Sequence, residues 1–179
     1  MVVERRFRNR NLVLLQVVFS GVFAALVAVT TMLVQIPVPA TKGYVNVGDV
    51  MIFVGGLMFG PVVGCFSGAV GSAIADVASG YGLYAPFTFA IKGIEGLIAG
   101  LISNGKNASR NVIAVTFGGI EMVVGYFLAE FFPLQLGWAA LSEVPFNIVQ
   151  VTIGGLVSVP LAAVVGAVAP GIWRNLRGK

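Results

Sequence analysis

The chain has 179 residues, 58% of them hydrophobic and 10% charged, with a mean hydropathy of +0.96. That composition excludes an ordinary soluble domain and points to an all-α integral membrane protein, a single transmembrane domain over 1–179. The net charge of +4 does not make a nucleic-acid surface, because the basic residues flank apolar segments. The lack of any histidine removes histidine metal sites and serine–histidine triads, and the single cysteine, Cys65, excludes an internal disulfide.

Arg5, Arg6, Arg8 and Arg10 precede an apolar run over 12–34. The pattern begins like a signal peptide, but no small-residue cleavage site follows, so it reads as a retained first transmembrane helix. Gly21, Ala24, Ala25 and Ala28 form small-xxx-small pairs on it. That spacing serves a partner helix and packing within the bundle equally well. The stretch 36–46, IPVPATKGYVN, has two prolines, a glycine and Lys42 and reads as a loop long enough to act as a lid.

A short second helix is expected over 47–60 with Asp49 near its start, too short to span upright. A tight Gly60-Pro61 corner leads into a third over 61–79, with Gly64, Gly68 and Gly71 along it and Asp76 near its end. Asp49 and Asp76 read equally as pocket residues and as structural carboxylates at helix ends. The fourth helix, 84–103, is YAPFTFAIKGIEGLIAGLIS. Lys92 lies ~12 Å in from Tyr84, and Glu95 a turn deeper. An ionised group at that depth costs ~2.5 kcal/mol or more unless it is paired or meets water, which makes the pair functional by default. A Lys92–Glu95 pair that merely satisfies itself is the alternative. Helical spacing puts Thr88, Lys92, Glu95, Gly96 and Ala99 on one face. Phe87, Ile91, Ile94, Ile98 and Leu101 fall on the other, able to meet lipid.

A polar loop over 104–111 carries Lys106 and Arg110, and a fifth helix is expected over 112–132 with Glu121 and Glu130. Nine residues separate these glutamates, ~900° of helix, so they point to opposite faces. Glu130, nearer the loop over 133–142, is assigned to a pocket, and Glu121 to a pair or cap inside the bundle. The loop holds Gln135 and Trp138 and is a second candidate lid. The sixth helix, 143–172, is expected to kink at Pro160. It opens with EVPFNIVQ, which places Asn147 and Gln150 on one face, and ends before Trp173, Arg174, Arg177 and Lys179.

Six spans put both termini and the 104–111 loop on one side. That side holds nine Lys and Arg residues, against Lys42 alone opposite, which assigns it to the cytoplasm. Asn46, Asp49, Asp76, Tyr84, Lys92, Glu130, Asn147 and Gln150 then fall in the outer half. With Tyr84, Phe87 and Trp138 nearby, an outward pocket for a small, flat, polar molecule is expected.

In length, in six spans with both ends cytoplasmic, in the alanine-rich first helix around Ala24 and Ala28, and in the runs VGDVMIFVGGLMFGP, YAPFTFAIKGIEGLIAG and EVPFNIVQ, the chain resembles the S components of energy-coupling factor (ECF) vitamin transporters. The resemblance implies a multi-pass protein of a prokaryotic plasma membrane that binds a water-soluble vitamin or precursor. Such a protein docks on a transmembrane coupling subunit joined to two ABC-type ATPases, with no cofactor and no ATPase of its own. The chain accordingly has no G-x-x-x-x-G-K-[ST] phosphate loop. The resemblance assigns substrate binding to Asn46, Tyr84, Lys92, Glu95, Glu130, Asn147 and Gln150, with Trp138 from the second lid, and docking to Gly21, Ala24, Ala25 and Ala28. Four outer carboxylates (Asp49, Asp76, Glu95, Glu130) face one cation, Lys92. That balance favours a neutral or weakly basic heteroaromatic ring: hydroxymethylpyrimidine or a vitamin B6 form first, thiamine or riboflavin next, pantothenate, biotin or folate last. A membrane enzyme is disfavoured, since Ser67-Gly68 has no histidine base to serve it. A stand-alone carrier or channel would want an internal inverted repeat, and none is apparent.

Overall fold

Long apolar runs make the helices of this chain, one of them with Pro160 in its interior, and glycine, proline and asparagine mark most of their ends. The computed structural model describes residues 2–105 and 107–168, with side chains from Leu12 onward. Lys106, Trp173, Arg174, Arg177, Lys179 and the expected end of the sixth helix lie outside the described residues, as do the side chains of Arg5, Arg6, Arg8 and Arg10. The elements are α1 (Val2–Leu33), β1 (Gln35–Val38), β2 (Gly43–Asn46), α2 (Asp49–Phe59), α3 (Pro61–Ala78), α4 (Ala85–Ile102), α5 (Ala108–Phe131), a 3-10 turn (Gly137–Ser142) and α6 (Val144–Val168). Five of the helices are long and apolar enough to cross a membrane; α2, with 11 residues, is the shorter sixth. Helix α5 begins four residues before its expected start because the Asn107 side chain caps it, accepting from Arg110 N at 3.1 Å.

The expected 36–46 loop is instead an antiparallel hairpin, with Gln35 opposite Asn46 and Val38 opposite Gly43. Pro37 read as a breaker, but a two-stranded ribbon is all edge, and an edge strand tolerates a missing N–H. The turn closes through Thr41 N donating to Val38 O at 3.2 Å, with Lys42 in the left-handed region at φ 57°.

Helix α4 is the centre of the bundle and packs on α2, α3 and α5; α1 lies across α2 and α3, and α6 lies across α2 and α5. Close approach of α3 and α4 depends on glycine. Side chains at Gly64 and Gly68 would collide with the carbonyls of Gly96 and Lys92. This is how membrane helices associate when burial from water cannot drive them. Phe23, Phe53, Leu57, Val63 and Ala99 fill the core, and Phe19 stacks on Phe59 at 4.4 Å. Val13, Val17, Val18, Ile94, Leu101 and Phe117 are exposed, as a lipid-facing surface requires. Ile91, expected on that surface, is instead buried against Met122. A π-helical turn over Ser67–Gly71 interrupts α3. Its extra residue rotates Ser72 and Asp76 by ~100° relative to an uninterrupted helix, which sets where they face.

Candidate functional site

The polar side chains collect at one end of the bundle, beneath the hairpin, in two layers. The lower layer is built on Lys92, 1% exposed, whose Nζ lies 2.5 Å from Asp49 Oδ1 and 3.1 Å from Glu95 Oε2. The other Asp49 oxygen accepts from Gln150 Nε2 at 3.0 Å. Gln150 Oε1 accepts the Asn46 backbone N–H at 2.7 Å, and Asn46 Oδ1 accepts from Gly48 N at 2.8 Å. Four expected site residues, Asn46, Lys92, Glu95 and Gln150, are thus joined through Asp49. Lys92 does not satisfy itself with Glu95 alone; it bridges two carboxylates on two helices.

The upper layer is a narrow cavity of about 20 Å³ lined by Thr31, Tyr44, Ser72, Asp76, Tyr84, Thr88, Lys92, Tyr126 and Glu143. Tyr44 Oη donates to Asp76 Oδ1 at 2.6 Å, and Tyr84 Oη donates to Thr41 O at 2.7 Å. The Thr41 hydroxyl donates to Glu143, whose carboxylate sits so close under Gly43 that a β-carbon there would stand 2.9 Å from it. Tyr126 Oη donates to Thr88 Oγ1 at 3.2 Å, and Lys92 Nζ lies 5.6 Å from the Tyr126 ring centroid. Burial, and then the charge of Asp76, push the Tyr44 hydroxyl's pKa up. Burial pushes Tyr84 up likewise, followed by the charges of Glu130 and Glu143. Both phenols therefore remain neutral donors.

Glu130 is fully buried and faces Glu143 and Tyr84. Asn147 is buried at 3%, on the same helix face as Gln150. Trp138 does not join the group. It is 73% exposed on the 3-10 turn, edge-on to Phe131 at 5.1 Å, because that turn points its large side chains outward. Glu121 is half-buried with Oε2 unpartnered. Tyr44, Tyr126 and Glu143 were missed, since a tyrosine at a loop or in a span reads as an interface anchor. Asp49 had a usable signal: the burial-cost argument applied to Lys92 holds equally for a carboxylate inside VGDVMIFVGG.

The expected docking stripe divides. Ala24 and Ala28 are each 6% exposed and turned into the bundle, with the Ala24 carbonyl 2.5 Å from where a Gly71 side chain would begin. Gly21 and Ala25 are exposed, and nothing lies within 4 Å of a side chain added at Gly21. Each i, i+4 pair shares a face, but the two pairs face different ways. A larger depression of about 600 Å³ between α5 and α6 is lined by apolar residues such as Val115, Val151 and Leu156. Its threonines, Thr116 and Thr152, spend their hydroxyls on their own helices, donating to Val112 O and Ile148 O.

Residues 11–167 match the sequence pattern of the ECF-type riboflavin transporter S component family. The chain belongs to that family. Among its relatives is a protein of Pyrococcus woesei described as an uncharacterized protein in gap 3'region, 48% identical over 129 residues, 72% of this chain and 86% of the relative. A UPF0397 protein of Streptococcus sanguinis (strain SK36) is 29% identical over 170 residues, 89% of each chain. A UPF0397 protein of Streptococcus pneumoniae (strain Hungary19A-6) is 36% identical over 86 residues, 48% of this chain and 46% of the relative. As an S component, this chain is the substrate-binding subunit of an ECF vitamin transporter, a multi-pass membrane protein and not an enzyme.

Proposed function

We propose that this S component captures a water-soluble vitamin or vitamin precursor at the outer membrane surface and presents it to a coupling subunit joined to two ABC ATPases. The observation behind the reading is the Asn46–Gln150–Asp49–Lys92 network, the floor of a tyrosine-walled cavity at one end of an otherwise apolar bundle. Six spans with cytoplasmic termini put that end outside. Asn46, Tyr84, Lys92, Glu95, Glu130, Asn147 and Gln150 are the proposed binding set. At about 20 Å³ the cavity has room for roughly one water, whereas ligand sites span ~300 Å³ or more. Admission of a ring therefore requires the hairpin to lift from Asp76, Glu143 and Tyr84. Hydroxymethylpyrimidine or a vitamin B6 form ranks first and thiamine or riboflavin next; the family's description adds weight to riboflavin.

Mass spectrometry of the ligand retained by the purified full chain tests this reading. A heteroaromatic ring of the ranked set is expected. Retained pantothenate or biotin would show the charge ordering to be wrong. Uptake by the chain alone, without coupling subunit or ATPases, would instead make it a stand-alone carrier.

A further inference from the structure

We infer that the ligand of this cavity is an organic cation, a protonated amine or a positively charged nitrogen heterocycle, held by Asp76 and Glu143 among Tyr44, Tyr84 and Tyr126. The inference rests on the vitamin-binding reading and sharpens it. Three ionisable groups other than tyrosines line the cavity: Asp76, Glu143 and Lys92. Lys92 has no charge to spare, since Asp49 and Glu95 leave that trio formally one negative. Asp76 takes a neutral donor, Tyr44, on Oδ1, and its buried Oδ2 has no hydrogen-bond partner. Glu143 takes the neutral Thr41 hydroxyl, and Glu130 lies behind it.

No other cation among the described residues reaches these carboxylates. Lys42 is exposed at the tip of the hairpin, and Arg110 Nε donates to Ile102 O at the opposite end of the bundle. An anionic ligand would therefore enter surplus negative charge in a low-dielectric setting, where like charges repel strongly. A neutral one would leave that charge uncompensated. A cation meets the carboxylates, and the tyrosines that line the same cavity add aromatic rings of the kind that attract ammonium groups. A bare metal ion fits less well, because no group of three acidic or cysteine side chains among the described residues converges on one point.

The test uses the purified full chain in detergent and four probes: pyridoxamine and pyridoxine, which differ in bearing an ammonium or a hydroxyl at one carbon, and thiamine and riboflavin. Calorimetry should give at least about tenfold tighter binding of pyridoxamine than of pyridoxine, and of thiamine than of riboflavin. Asp76→Asn and Glu143→Gln should erase the preference. They should also raise the Tm of the ligand-free protein, since each removes uncompensated buried charge while keeping its hydrogen-bond acceptor. Pyridoxine binding as well as pyridoxamine, or riboflavin better than thiamine, overturns the inference and leaves the vitamin reading standing. Binding of none of the four also overturns the inference and leaves the vitamin reading to the retained-ligand measurement, and a fall in Tm in both variants overturns the inference as well.

Discussion

Lys92 holds more of the site together than any other side chain. Replacing it with methionine leaves Asp49 and Glu95 buried with no counter-charge, and breaking a buried pair from one side costs ~3–5 kcal/mol. Lys92→Met should therefore lower the Tm of the purified protein sharply, and adding Asp49→Asn to it should recover part of the loss. A wild-type Tm in the single variant would mean the trio is already solvated. Gln150→Ala, which strips a donor from Asp49 and an acceptor from Asn46, is expected to cost less, ~1–3 kcal/mol. The demand for partners at Lys92 and Glu95 was legible in the sequence, since both depth and spacing follow from one helix. That Asp49 meets this demand was not, because the pairing joins residues 43 positions apart and no local period records it. Tyr44 was hidden for a similar reason: its role exists only once the hairpin folds over Asp76.

Among the elements, the hairpin departs most from its expected form, and it lies over the cavity. Five ties hold it down: Gln35 Nε2 to Ser79 Oγ at 2.9 Å, Tyr44 to Asp76, Tyr84 to the Thr41 carbonyl, Thr41 to Glu143, and the Asn46 backbone N–H to Gln150 Oε1. Tyr84→Phe removes one tie, worth ~0.5–1.5 kcal/mol. It should speed dissociation of a bound vitamin by roughly two- to twelvefold with a smaller change in association rate, read by stopped-flow fluorescence. An unchanged dissociation rate would mean that the hairpin does not gate release. Helix α1 separates two roles that spacing alone had left merged. Ala24→Trp must force a large ring between α1 and α3 and should prevent stable folding. Ala25→Trp, on the exposed face, should leave folding and vitamin binding intact while blocking co-purification with the coupling subunit. Normal assembly of Ala25→Trp would move the docking surface elsewhere.

At the scale of the whole molecule, α2 shows how a helix too short for the bilayer fits a bundle of long ones. Eleven residues rise ~17 Å, little more than half of a ~30 Å hydrocarbon core. Contacts fix its depth: Asp49 at its start meets Lys92, and the Gly60-Pro61 corner at its end lies against Gly100. Helix α2 therefore runs beside only the lower part of α4, while the hairpin fills the space above it. Its shortness is what leaves a hollow at one end, and protein on all sides spares Phe53 and Leu57 from contact with lipid. The orientation of that hollow rests on charge. Nine Lys and Arg residues in the two termini and the 104–111 loop, against Lys42 at the hairpin tip, are the basis for the proposal that the hairpin lies outside. With Cys65 replaced by alanine to remove background thiol, Lys42→Cys in intact cells should react with a membrane-impermeant maleimide. Lys106→Cys should react only after the membrane is opened. The charge bias assigns the two positions to opposite sides of the membrane, so a reversed pattern would turn the cavity to the cytoplasm. An S component facing that way would have no vitamin to capture from outside, and the proposed function would fail with the topology.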